Sequence, residues 1–242
     1  HPEMKNINKL FFALTVMAAM FVQNISAQNV RVFLKDGTSQ TFASADVDSV
    51  VFDADNTFYP TAVDLGLSVK WASCNLGAEQ PQEFGNYYSW GETEPKADYS
   101  KTTYFDLEYK YATENNDTCF AGKAQYDAAS AAWGNGWRTP TNLELKELID
   151  KCKWKSIRYK GTNGYKVTGP NGNQIFIPAA GEMTGKSCYS AQTNGYYMSA
   201  SQSKEYDEPS YQLYFSTSDI EVTLNYKYVG RTVRPVLDNS DN

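Results

Sequence analysis

The sequence is short of the residues that most enzymes use to move protons. Its one histidine is His1, ahead of the part expected to fold. The folded chain therefore lacks the means for Ser-His-Asp or Cys-His catalysis and for imidazole ligation of a metal. Cysteine is scarce as well. Cys74, Cys119, Cys152 and Cys188 are widely spaced with no Cys-x-x-Cys, which argues against a zinc ribbon. Four cysteines allow three pairings. Cys74 with Cys152 is the candidate disulfide, and buried free thiols are an equal alternative. There is no glycine-rich phosphate loop ending in Lys-Ser/Thr, no internal repeat and no low-complexity tract. Catalytic residues, metal ligands and cofactors are accordingly expected to be none.

The only long apolar run, Leu10 to Val22, lies within "MKNINKLFFALTVMAAMFVQNISA", Met4 to Ala27. Lys5 and Lys9 precede it and the small pair Ser26-Ala27 follows, the pattern of a secretory signal peptide over residues 1–27. His1-Pro2-Glu3 stand ahead of the natural-looking Met4 and are set apart as additions. The run is too short for a comfortable membrane span. No cysteine sits at the expected cleavage point, so a lipid anchor is not expected. The expected location is secreted or periplasmic, or at the cell surface, with no membrane insertion after signal removal. Removing residues 1–27 takes away Lys5, Lys9 and Glu3, leaving 20 basic against 27 acidic residues, a net charge of −7. An acidic chain has no electrostatic footprint for nucleic acid or an anionic membrane.

What is there instead is tyrosine, 18 residues of it, on a chain too aromatic for disorder. Residues 28–57 read as a leader module of short strands. Val30, Val32 and Leu34 alternate, Asp36-Gly37 signals a tight turn, and strands follow through Thr41-Phe42 and from Val47 to Phe52. Three short strands cannot hold a core alone, so they need the main domain or a partner, reached through residues 28–55. Asp53 to Asn56 opens like a calcium loop but lacks the glycine and the distal glutamate, and reads as a linker turn.

The main domain spans residues 62–237. "AVDLGLSVKWASCNLGA" suggests strands around a glycine turn, and residues 96–122 read as a long surface excursion. Asp127 caps a helix over Ala128 to Trp133, which Gly134 stops. Trp137 to Thr139 is extended because Pro140 follows. Thr141 and Glu144 form a capping box, and Leu145, Leu148, Ile149 and Cys152 fall on one helix face. A hairpin of Tyr165–Thr168 and Gln174–Ile177 follows. Three more strands are expected at Gly195–Ala200, Tyr211–Ser216 and Gly230–Val236. The polar stretches between them, Ser201–Ser210 and Ser218–Tyr228, read as loops.

The motifs "VDLGLSVKWASCNLGA", "YYSWGETEP", "WGNGWRTPT", "NGYKVTGPNGNQIFIPAAG", "YMSAS" and "GRTVRPV" occur in order over residues 62–237. With them the chain resembles the Fibrobacter succinogenes major paralogous domain of secreted Bacteroidetes proteins. That family is similar to the C-terminal domain of a Legionella collagen-like adhesin. The resemblance implies an α+β, C-type lectin-like fold with two helices, small antiparallel sheets, long loops and termini close together. Related folds include variable receptors diversified by retroelements, in which a binding surface late in the domain tolerates many side chains. Sulfatase-activating relatives use two late cysteines, whereas Cys188 stands alone here, which argues against that activity.

The candidate site is the acidic, tyrosine-bearing cluster Glu205-Tyr206-Asp207-Glu208 with Tyr211. Such side chains on a loop combine acceptors with large amphipathic contacts. Tyr196, Asn225, Tyr226 and Tyr228 are expected to border the same surface. The residues assigned to ligand binding are Tyr206, Asp207, Glu208, Tyr211, Asn225 and Tyr226. The five tryptophans are expected to pack, and Arg138 and Arg234 to act as struts bonding carbonyls or carboxylates. Glu92 and Glu94 resemble a lectin calcium pair because Pro95 follows, but Lys96 stands where the lectins have asparagine. Three readings result. The first is a binding protein or adhesin that holds a glycan or protein ligand through its late loops. The second is a structural subunit of a surface assembly using its N-terminal strands. The weakest is a polysaccharide hydrolase with paired carboxylates.

Overall fold

The computed structural model describes residues 29–33, 39–43, 60–104, 119–203 and 209–239. The chain divides into two compact units, residues 1–57 and 58–242. The expected signal peptide, the Asp36-Gly37 turn, the third leader strand and the Asp53–Asn56 turn lie outside the described residues.

In the first unit, β1 (Asn29–Phe33) pairs antiparallel with β2 (Ser39–Ala43), Asn29 facing Ala43 and Phe33 facing Ser39. The second unit is α+β and mostly strand. β3 (Ala62–Val63) and β4 (Val69–Ala72) flank a turn in which Gly66 takes φ 75°, as the glycine in that stretch suggests. They join β14 (Val236–Asp238) and β5 (Trp137–Arg138) in a sheet ordered β3-β4-β14-β5, so the beginning and end of this unit share one sheet. The resemblance implied such closeness.

The two helices form where the local signals place them. In α1 (Ala128–Trp133), the buried Asp127 carboxylate accepts from the Ala129 and Ser130 amides. It also accepts from the amides of Gly122 and Thr139 and from the Thr139 hydroxyl, tying the incoming loop and the outgoing link to the cap. Gly134, Asn135 and Gly136 all have positive φ, which makes the joint tight. In α2 (Asn142–Lys151), Thr141 and Glu144 complete a capping box, and Leu145 and Leu148 are buried.

The remaining strands form small antiparallel sheets. β6 (Lys153–Tyr159), β7 (Thr162–Thr168) and β8 (Gln174–Pro178) lie in that order, with β6 at an edge. β9 (Glu182–Thr184) pairs with β10 (Ser187–Tyr189). β11 (Gly195–Gln202), β12 (Pro209–Phe215) and β13 (Ile220–Tyr226) make a meander. Two sequence expectations are corrected here. Ser218–Tyr228 is not a loop, because Ile220–Tyr226 pairs along its whole length with β12. Gly230–Val236 is not one strand: Gly230, Arg231 and Thr232 bridge to Met183, Tyr88 and Tyr197 in turn, and regular pairing begins only at Val236.

The larger core gathers Leu65, Trp71, Leu145, Leu148, Val167, Ile177, Tyr197, Leu213 and Phe215. Gly195 faces Phe215 across the β11–β12 pair, and any side chain at Gly195 would run into that ring. The smaller core packs Trp90, Phe120, Met198 and Val233. Trp71 and Trp90 are fully buried, and Trp133 meets Trp137 edge-on at 5.4 Å, so these four aromatics are packing residues as expected. All four cysteines are free, which corrects the Cys74–Cys152 candidate; the alternative of buried free thiols holds for Cys74, whereas Cys119 and Cys152 are partly buried and Cys188 is exposed. Cys74 is buried and donates to the Ala78 carbonyl, and burial pushes its thiol up. Among the described residues no helix is long and apolar enough to cross a membrane.

Candidate functional site

The β12–β13 pair decides where the sequence-selected residues go. Ser210 faces Asn225, Tyr211 faces Leu224 and Pro209 faces Tyr226. Successive residues of a strand point to opposite faces. Pro209, Tyr211, Leu224 and Tyr226 therefore share the face that carries Leu213, Phe215, Ile220 and Val222 onto the core and α2. Leu213 is buried at 1%, whereas Leu224 is 40% and Tyr226 51% exposed, so this apolar face runs out of the core into solvent. Tyr228 extends it, stacking on Tyr226 with centroids 5.4 Å apart and planes 14° from parallel.

Asn225 is on the other face. Its amide donates to Glu182 Oε2 at 2.9 Å and to Gln212 Oε1 at 3.3 Å. Burial raises the Glu182 carboxyl above its ordinary range, against the lowering effects of Asn225 and Arg231. Beneath it Arg231 is fully buried and donates from Nη2 to Ser210 Oγ at 2.8 Å, while its Nε and Nη1 have no partner among the described residues. Burial lowers the Arg231 guanidinium to about 10, which leaves it charged at neutral pH. Tyr196 also falls on this second face, against Tyr214 at 5.3 Å. The expectation of one shared surface is corrected: Tyr211, Tyr226 and Tyr228 go together, and Asn225 and Tyr196 do not join them. Tyr206, Asp207 and Glu208, with Glu205, lie outside the described residues.

The struts behave as expected. Arg138 donates to both carboxylate oxygens of Glu144 and to Asp238. Burial opposes its charge, but the two carboxylates outweigh burial and raise its pKa. Arg234 is buried and donates to Asn75 Oδ1, the Ala72 carbonyl and the Phe176 carbonyl at 2.8, 3.0 and 2.9 Å. Glu92, half of the lectin-like acidic pair, is engaged by Lys96 at 2.7 Å.

Residues 151–181, where the sequence pattern picks out only the end of the second helix and the hairpin of Tyr165–Thr168 with Gln174–Ile177, hold a further candidate surface. From Lys151 to Gly181 the chain carries six cations and no acid. That charge run was visible in the sequence, but its pairing was not. Lys155 stands directly opposite Lys166 across β6 and β7. A cleft of about 340 Å³ lies where the inner face of this hairpin meets the turns after β10 and β12. Arg158, Asn163, Gln192 and Thr217 rim it, and Tyr165 and Phe215 form its base. Gln192 holds φ 68°, in the left-handed region, while its side chain accepts from the Asn163 amide. A second cleft, of about 290 Å³, lies beside Ile157, Tyr159, Lys166 and Phe176. Ile157 borders both.

Compared with known proteins, the chain matches no family model, no curated protein and no solved structure.

Proposed function

We propose that this chain is an exported binding module, a lectin-like domain that holds a glycan or protein ligand on sheet-borne tyrosines without doing chemistry. The observation that carries this reading is the apolar face of β12 and β13 continuing past the core. Tyr211, Leu224 and Tyr226 lie side by side there, and Tyr226 is braced by its stack on Tyr228. Rigid aromatic rings lose little side-chain entropy when a ligand covers them, and a regular sheet holds their spacing. Tyrosine adds a hydroxyl at the rim, so one patch makes apolar and polar contacts together. The resemblance to a secreted family, whose fold relatives include receptors with a tolerant late surface, points the same way. The test is a glycan and protein-ligand array probed with wild type and with Tyr211→Ala/Tyr226→Ala. Loss of the captured ligand in the variant supports the site, and unchanged capture rejects it.

A second reading, a structural subunit, is favoured by the β1–β2 hairpin. Two strands alone are marginal in water, and Phe42 is 41% exposed on the second of them. Addition of these strands to a partner's sheet edge would complete them. Light scattering of the chain with and without residues 28–57 separates the readings. Polymers or a tight complex lost on deletion favour assembly, and an unchanged monomer rejects it.

A further inference from the structure

We infer that the β6–β7 hairpin is a binding site for an acidic polysaccharide, separate from the tyrosine patch. The protein as a whole is acidic, with a net charge of −6, yet this hairpin and its flanks carry only positive charge over residues 151–181. Among the described residues, Lys153, Lys155, Arg158, Lys160 and Lys166 form no ion pair with a carboxylate; Lys151 alone does, with Glu147. Lysines on an edge strand can serve simply to block edge-to-edge pairing. That purpose does not account for Lys166, which is on the central strand β7 and directly faces Lys155. Like charges placed opposite one another oppose folding. The arrangement becomes favourable when an anion sits between them.

The surroundings narrow the anion to a saccharide. On one side of β6, Tyr159 and Phe176 pack at 5.3 Å beside Lys166, offering an aromatic surface next to a cation. On the other side, Arg158 stands among the Ser156, Asn163, Gln192, Thr193 and Thr217 side chains, a rim of hydroxyls and amides suited to ring hydroxyls. Both clefts adjoin Ile157, so a chain lying across the free edge of β6 meets cations on both faces. A membrane or a nucleic-acid duplex would present a broad anionic surface to a protein whose net charge repels it. A thin acidic chain meets only the hairpin.

The test is isothermal titration calorimetry of the full chain against polygalacturonate, heparin, methyl-esterified polygalacturonan, phosphatidylglycerol vesicles and duplex DNA. One or both acidic polysaccharides should bind, with affinity that falls as salt rises, and the esterified polymer should bind at least about tenfold more weakly. Lys155→Gln/Lys166→Gln should weaken binding about tenfold while its thermal midpoint stays level or rises, since a like-charge pair has been relieved. Arg158→Gln should weaken binding as well, and Tyr226→Ala should leave it unchanged, which separates this site from the tyrosine patch. The inference is overturned if neither acidic polysaccharide binds, or if the neutral polymer, vesicles or DNA bind as tightly. Unchanged binding by the double variant overturns it equally.

Discussion

Asn225 and Tyr226 are neighbours in the chain and stand on opposite faces of one sheet. Asn225 turns inward to Glu182 and Gln212, while Tyr226 turns outward and is half exposed. Their substitutions should therefore separate stability from binding. Tyr226→Ala should change stability by no more than about 0.5 kcal/mol, as surface substitutions do, and lower affinity for an array-identified ligand about tenfold or more. Asn225→Ala should cost about 1–3 kcal/mol in urea unfolding, because the half-buried Glu182 loses its donor. The reverse pattern would remove Tyr226 from the site.

Glu182 should give a pH signature. Burial holds its carboxyl above the ordinary range. The native state then binds that proton more tightly than the unfolded chain does. The group's stabilisation is complete below the ordinary carboxyl pKa and is lost as pH rises through the raised value. Thermal midpoints of wild type and Glu182→Gln, measured from about pH 4, near the ordinary pKa, to about pH 8, isolate this effect. The glutamine variant should gain on the wild type as pH rises. A variant that instead loses ground would mean that attraction to Arg231 outweighs burial.

Arg234 and Arg231 are both fully buried but differ in their bonding. Arg234 donates to three acceptors, whereas among the described residues Arg231 leaves Nε and Nη1 without a partner. Replacing Arg234 by Met should cost about 3–5 kcal/mol, since it strands buried acceptors. Arg231→Met should cost clearly less, because fewer acceptors are lost and an incompletely compensated charge leaves the interior. Denaturant titration of the two variants orders them.

Arg138 joins the glycine joint to two other elements. It grips Glu144, which also closes the cap of α2, and it reaches Asp238 at the end of β14. Arg138→Ala should cost about 2–3 kcal/mol, the loss of hydrogen bonds to charged partners with Glu144 left half-buried. Binding by the tyrosine patch or by the hairpin should persist in the folded variant. Loss of ligand without loss of stability would make Arg138 a contact residue.

Much of the frame was legible because its signals are local. Asp127, Thr141 and Glu144 cap helices through bonds spanning two or three residues, and Gly134 stops one through its own backbone freedom. The binding surfaces were less legible. "IEVTLNY" sits in a polar stretch that reads as loop, but Ile220, Val222, Leu224 and Tyr226 are apolar on alternate positions, and only pairing with β12 makes it a strand. The cations of residues 151–181 could be counted, yet the opposition of Lys155 and Lys166 depends on the register of β6 and β7.

The chain's local order therefore determined the two helices, their caps, the tight joint at Gly134 to Gly136 and the shortage of proton-shuttling side chains. Those features depend on residue type and on neighbours a turn away. Folding alone decided that Tyr226 faces solvent while Asn225 is turned toward Glu182, that Arg231 is sealed from water, and that like charges meet across one hairpin. Each of these follows from strand register, which moves every side chain to the other face when it slips by one residue and is set by contacts remote in sequence.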